Sequence, residues 1–242
     1  PVYYNEQRDL WVLSRYEDVR ACLGNHQQFV SKFGNDIDGT HDSYGVGFLV
    51  CQDPPHHGVL REAIRRCFGA REVLGMQERI RRVSRDLLSA MKAQGRGDIV
   101  GDLALPLVFD TALTLVGVPT EDSAYWIDHL WRAMARTVCK LGVPSDAEDA
   151  NREAEQHLSD LVAVRQEAIR AGADPNTPDA ISQILLSVSA GKVAEAEVVG
   201  LAHLVLSAAT DAPAALPAAL ALAGWGVGGL LAAWGVLRTR DA

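Results

Sequence analysis

Asp53-Pro54-Pro55-His56-His57-Gly58-Val59-Leu60-Arg61 decides how this 242-residue chain is read. An acidic residue followed by two prolines marks a helix opening. The carboxylate can accept an orphan backbone N–H, and proline's fixed φ suits the first helical turn. A helix is therefore expected from about Pro54, with His56 and His57 in its first turn. Cationic groups there oppose the helix dipole, which favours anions at that end by about 0.3–1 kcal/mol, so an anion from elsewhere is expected to meet them. Arg61 follows His57 by one turn on the same face, the spacing with which two side chains grip a carboxylate or phosphate. The same spacing also describes two solvated residues on a surface helix, and both readings stand at this point.

Upstream, the apolar runs Val2 to Tyr4 and Leu10 to Leu13 flank a polar connection of hairpin length, which predicts a small β-hairpin. Ser14 with Glu17 three residues later forms a capping-box pattern, and Gly24 stops the helix it opens. From Gln28 to Val50 no period is sustained, and Gly34, Gly39, Gly45 and Gly47 with several aspartates predict a long loop.

Downstream the pattern is helical almost without interruption. Met76, Ile80, Val83, Leu87 and Met91 recur at helical spacing up to Gly95, with Arg79, Arg81, Arg82 and Arg85 on what reads as a solvated face. Leu105 to Val118 is apolar and bounded by prolines. Thr120, Glu121 and Asp122 open a helix lined by Ile127, Leu130, Met134, Val138 and Leu141, and two more helices are expected over 145–171 and 179–189. Val198 to Ala209 carries only His203 and Ser207 as polar residues, so it reads as a helix buried on all sides. At its end Asp211 places a carboxylate among apolar residues, either a costly buried acid with a function or the N-cap of a new helix.

The balance of 23 basic and 31 acidic residues leaves a formal charge of −8, which argues against a nucleic-acid partner. Cys22, Cys51, Cys67 and Cys139 form no CxxC pair, and with His56 and His57 they match no zinc spacing, so no metal site is assigned. Localisation defaults to the cytoplasm.

Two stretches, the DPPHH…R helix opening and the apolar helix that ends in Ala208-Ala209-Thr210-Asp211-Ala212-Pro213, together resemble the bacterial-type cytochrome P-450 family of haem-thiolate monooxygenases. The order of landmarks agrees. Trp11 to Val19 is similar to that family's first-sheet strand and following helix, and Gly117-Val118-Pro119 with Glu121-Asp122 to the end of its E helix. The implied fold is mainly α, a cytochrome P-450-like helical domain with a small N-terminal β-hairpin, incomplete at both ends. It is one partial domain over 1–242, with the clear resemblance over 1–211 and a divergent apolar tail over 212–242. The resemblance implies haem as cofactor, with His57 and Arg61 on a haem propionate and Ala208 and Ala212 beside the haem face. It makes Asp211 the acid that delivers protons during oxygen activation. It implies a small organic substrate and a ferredoxin-type electron donor. Arg65 and Arg66 are placed to form part of a basic docking face for that donor.

The sequence also departs from that pattern. Ala212 stands where the family carries an alcohol, usually threonine. The expected Glu-x-x-Arg helix and the glycine-rich loop with the cysteine ligand do not follow, so this chain alone is expected to be an inactive fragment. Ala212 to Leu237 contains 26 residues without a charge, nine of them alanine and five glycine. After about Pro213 the chain is expected to depart from its ancestral reading frame or to be cut short, and a shifted frame would give such a composition. Two alternatives remain: a haem-independent helical binding protein, and a tail-anchored membrane protein.

Overall fold

The computed structural model describes residues 2–34, 46–133 and 143–210. The expected hairpin is present: β1 (Val2–Asn5) and β2 (Leu10–Leu13) pair antiparallel with Tyr4 opposite Trp11, whose rings tilt against each other at 5.2 Å. The next helix, α1 (Tyr16–Gly24), stops at the predicted glycine but is opened differently. Arg15, not Ser14, occupies the N-cap position, and it makes no side-chain cap. The pattern located the helix; the chain enters it one residue later than the box requires.

The remaining helices enclose one core. They are α2 (His56–Arg65), α3 (Ala70–Gly75), α4 (Gln77–Gln94), α5 (Leu105–Val116), α6 (Ser123–Ala133), α7 (Ser145–Arg170), α8 (Ala180–Ser189) and α9 (Val198–Thr210). A π-helical turn, Ile99–Ala104, leads into α5. The span Ile99–Val116 is long and apolar enough to cross a membrane, yet Phe109, Ala112, Leu113 and Val116 lie in the core.

The apolar helix α9 runs through the centre, with Val198, Leu201, Ala202 and Val205 buried against α5, α7 and α8. Small residues allow this crowding. Ala147, Ala150 and Ala154 recur on α7 at intervals of three and four and are fully buried, so its backbone approaches its neighbours closely.

Polar pins fix the helices at their ends. Asp179 caps α8 through the Ser182 N–H at 2.8 Å, and its carboxylate lies against Gly117, the left-handed residue (φ 91°) that ends α5. A Cβ on Gly117 would sit 2.5 Å from Asp179 Oδ1. Arg79 is not solvated as its helical face suggests: it donates two 2.8 Å hydrogen bonds to Asp110 of α5. Periodicity assigns a face to a helix, but not the acidic rim of whichever helix lies beside it. Arg81 pairs with Glu78 on its own helix, and Arg82 and Arg85 are exposed as expected. Arg132 of α6 reaches Asp146 (3.1 Å) and Glu153 (2.7 Å) of α7, and these carboxylates hold its guanidinium still more firmly protonated.

Trp126 and His129 of α6 and His203 of α9 form a buried ring cluster, with Trp126–His129 centroids at 5.4 Å and His129–His203 at 5.7 Å. Burial keeps both imidazoles neutral. His129 is pushed down to about 4, although a backbone hydrogen bond to Ala150 opposes the shift, and His203 is pushed to about 3 with a further contribution from His129.

Two outcomes are expected. Gly117→Ala should lose about 1–3 kcal/mol in urea unfolding, because the new Cβ meets both a left-handed backbone and a carboxylate. Gly172→Ala, at φ 102° with open space around it, should lose less. For the histidines, the folded pKa values lie below the ordinary 6.5, so below that pH the unfolded chain takes up protons first. Stability should therefore fall as pH drops from about 6.5 towards about 4 and 3, by up to about 1.4 kcal/mol per pH unit for each ring. Unfolding free energies at several pH values should give a shallower slope for His129→Phe, and equal slopes would refute the assignment.

Candidate functional site: the opening of α2 and the end of α9

The helix predicted from Pro54 begins at His56, and its capping differs from expectation. Asp53 does not cap it. Its carboxylate instead accepts the backbone N–H groups of Ser31 (2.8 Å) and Lys32 (3.1 Å), tying the start of the long loop to the start of α2. Pro54 and Pro55 bring no N–H, so the helix opening presents fewer orphan donors and leaves the carboxylate available to the loop.

His56 and His57 part company. The His56 Nε2 meets Glu197 Oε1 at 2.5 Å, at the foot of α9. His57 is half-buried and Arg61 is exposed. At about 100° per residue the two lie roughly 40° apart around the helix. Among the described residues no carboxylate engages either of them, while the neighbouring arginines are occupied. Arg65 is held by Glu62 through bonds of 2.7 and 2.8 Å, and Arg66 by Asn176 at 3.1 Å with Glu72 near it at 3.8 Å. Arg65 and Arg66, expected on a basic docking face, thus each have an acidic neighbour and both stay exposed. A groove of about 780 Å³ between α2 and α8, lined by Val59, Ala63, Arg66, Leu186 and Lys192 among others, lies on the opposite flank of α2 from His57 and Arg61.

At the far end of α9, Ala208 is exposed and presents only a methyl group. Asp211 and Ala212 lie outside the described residues, as does the tail. Of the cysteines, Cys67 is buried and its thiol is pushed up to about 11, first by burial and then by Asp179. It is a packed thiol, not a thiolate ligand. Cys22 and Cys51 are partly exposed, and among the described residues no three His, Cys, Asp or Glu side chains converge as metal ligands. His57 and Arg61 have the hydrogen-bond donors that the carboxylates at the edge of a haem would need.

Reading by pattern placed His56 at the helix opening and expected an anion there, but missed that Glu197 is the carboxylate that meets it. Glu197 stands three residues after Ala194 and accepts that residue's backbone N–H at 2.9 Å, but an alanine in place of serine or threonine removes the signature of a capping box. Its second partner lies 141 residues away and leaves no local trace.

No family model matches the chain. The cyclomarin C epoxidase CymV of Salinispora arenicola is 28% identical over 211 residues, covering 86% of this chain and 52% of that protein. Cytochrome P450 107B1 of Saccharopolyspora erythraea is 27% identical over 213 residues, covering 83% and 49%. The chain thus spans about half the length of the curated relatives it matches. Among solved structures, epothilone B-bound cytochrome P450epoK superposes with a TM-score of 0.70 at 21% identity, over 93% of this chain and 58% of that one. Neither alternative reading, the haem-independent binder or the tail-anchored protein, gains support. In sequence and in fold the chain is similar to the cytochrome P450s, and it fits a fragment of about half of such a protein.

Proposed function

We propose that the whole protein is a cytoplasmic haem-thiolate monooxygenase that oxidises a small organic substrate with dioxygen, taking electrons from a ferredoxin-type partner. The observation that carries this reading is Arg61, a guanidinium one turn after His57 with no protein carboxylate on it among the described residues, whereas Arg65 and Arg66 nearby are engaged. Haem, when bound, would supply the oxidising chemistry that the protein's own side chains lack.

In this reading the Arg61 guanidinium and a His57 ring N–H donate to one propionate and hold the porphyrin edge at the opening of α2. The small side chains of Ala208 and Ala212 leave room beside the porphyrin face. Asp211 gives and recovers the proton needed at the oxygen end of the site. With alanine at 212 no side-chain hydroxyl follows this acid, so the carboxylate and solvent carry the proton relay.

Arg61→Ala and His57→Ala should each weaken haem binding about tenfold or more, the loss expected for a charge-assisted hydrogen bond of about 1.5–3 kcal/mol. Titration followed at the haem absorption band measures this, and unchanged affinity in both variants would remove the propionate role. After reduction under carbon monoxide, a protein carrying the family's cysteine loop should show the strongly red-shifted thiolate band. These 242 residues alone should not.

A further inference from the structure

Glu197 receives contacts from three directions. Its Oε2 accepts the Ala194 N–H at 2.9 Å and closes the turn that leads into α9. Its Oε1 meets His56 Nε2 at 2.5 Å, with the carboxylate side chain only 10% exposed and the imidazole 43% exposed. Its backbone is pressed by Gly47, where a Cβ would lie 2.5 Å from the Glu197 carbonyl oxygen and 2.7 Å from its Cβ. The carboxylate is therefore held from behind, and His56 is held by it.

The rotation of α2 follows from that contact. Leu60, Ala63, Ile64 and Cys67 are buried and define the face of α2 and the turn after it that looks into the core. At about 100° per residue His56 falls within this face, His57 at its rim about 100° away, and Arg61 beyond the rim about 140° away. The half-buried His57 and exposed Arg61 agree with this order. Apolar burial is non-directional and tolerates some rolling of a helix, whereas a hydrogen bond to a fixed carboxylate does not. The geometry points to Glu197 and His56 as positioning residues: a latch between α9 and α2 that fixes the roll of α2 and so aims His57 and Arg61 at the propionate. This inference rests on the haem reading given above.

Protoporphyrin IX and its dimethyl ester test it, because they differ in the two free propionates and share the same ring. The protein should prefer the diacid, and Arg61→Ala should lower the acid-to-ester affinity ratio about tenfold. His56→Ala should lower that ratio by a similar factor while helical content and ester affinity hold. A merely structural loss would weaken both porphyrins alike and leave the ratio unchanged. Glu197→Gln, which keeps an acceptor for Ala194 and a partner for His56, should retain most of the preference, and Glu197→Ala should lose it. If Arg61→Ala lowers the ratio and His56→Ala leaves it unchanged, the latch is refuted and the propionate site stands. If Arg61→Ala leaves the ratio unchanged, both are refuted.

Discussion

A helix without a polar face has to be enclosed, and that constraint on α9 organises everything around it. Val198, Leu201, Ala202, Leu204, Val205 and Leu206 are buried and leave no side of the helix for water, so α5, α7 and α8 gather against it. Dense packing around a central rod requires small residues somewhere, and the buried alanines of α7 provide them. The same enclosure strips water from His203 and, through it, couples α9 to His129 and Trp126 of α6. Two neutral imidazoles in this position make the core sensitive to acid in a way that an all-hydrocarbon core would not be.

Charge is arranged on two scales. Pairs within one helix, such as Arg81 with Glu78, are exposed and contribute little, about 0–1 kcal/mol each. Pairs that cross elements do more for the architecture, because they can form only when two helices lie in the right place. Arg79 with Asp110 joins α4 to α5, and Arg132 with Asp146 and Glu153 joins α6 to α7. Among the described residues Arg61 has no carboxylate on it, as is also true of Arg82 and Arg85, and what sets Arg61 apart is its place one turn after His57 at the opening of α2.

The opening of α2 shows how a motif can be right in location and different in mechanism. Two prolines reduce the number of N–H groups that need a cap, which frees Asp53 to bind the backbone at 31 and 32. The stretch that starts the helix therefore also anchors the loop before it, while His56 reaches across to Glu197. One short segment thus connects the loop, the helix and the foot of α9.

Much of the fold was legible because it is written in local physics. The β-hairpin, the glycine stops at Gly24 and Gly95, the helices over 145–171 and 179–189 and the all-round apolar character of 198–209 depend on residues within a turn or two of each other, and periodicity and capping rules act over that range. The i,i+4 relation of His57 and Arg61 was legible for the same reason. Tertiary structure decided which groups those local elements meet: Asp53 turns to Ser31 and Lys32, Arg79 finds Asp110, and His56 finds Glu197. Each of these is a choice between partners far apart in sequence, settled by how helices stack against α9, and no one-dimensional pattern records it because a hydrogen bond between distant residues carries no period.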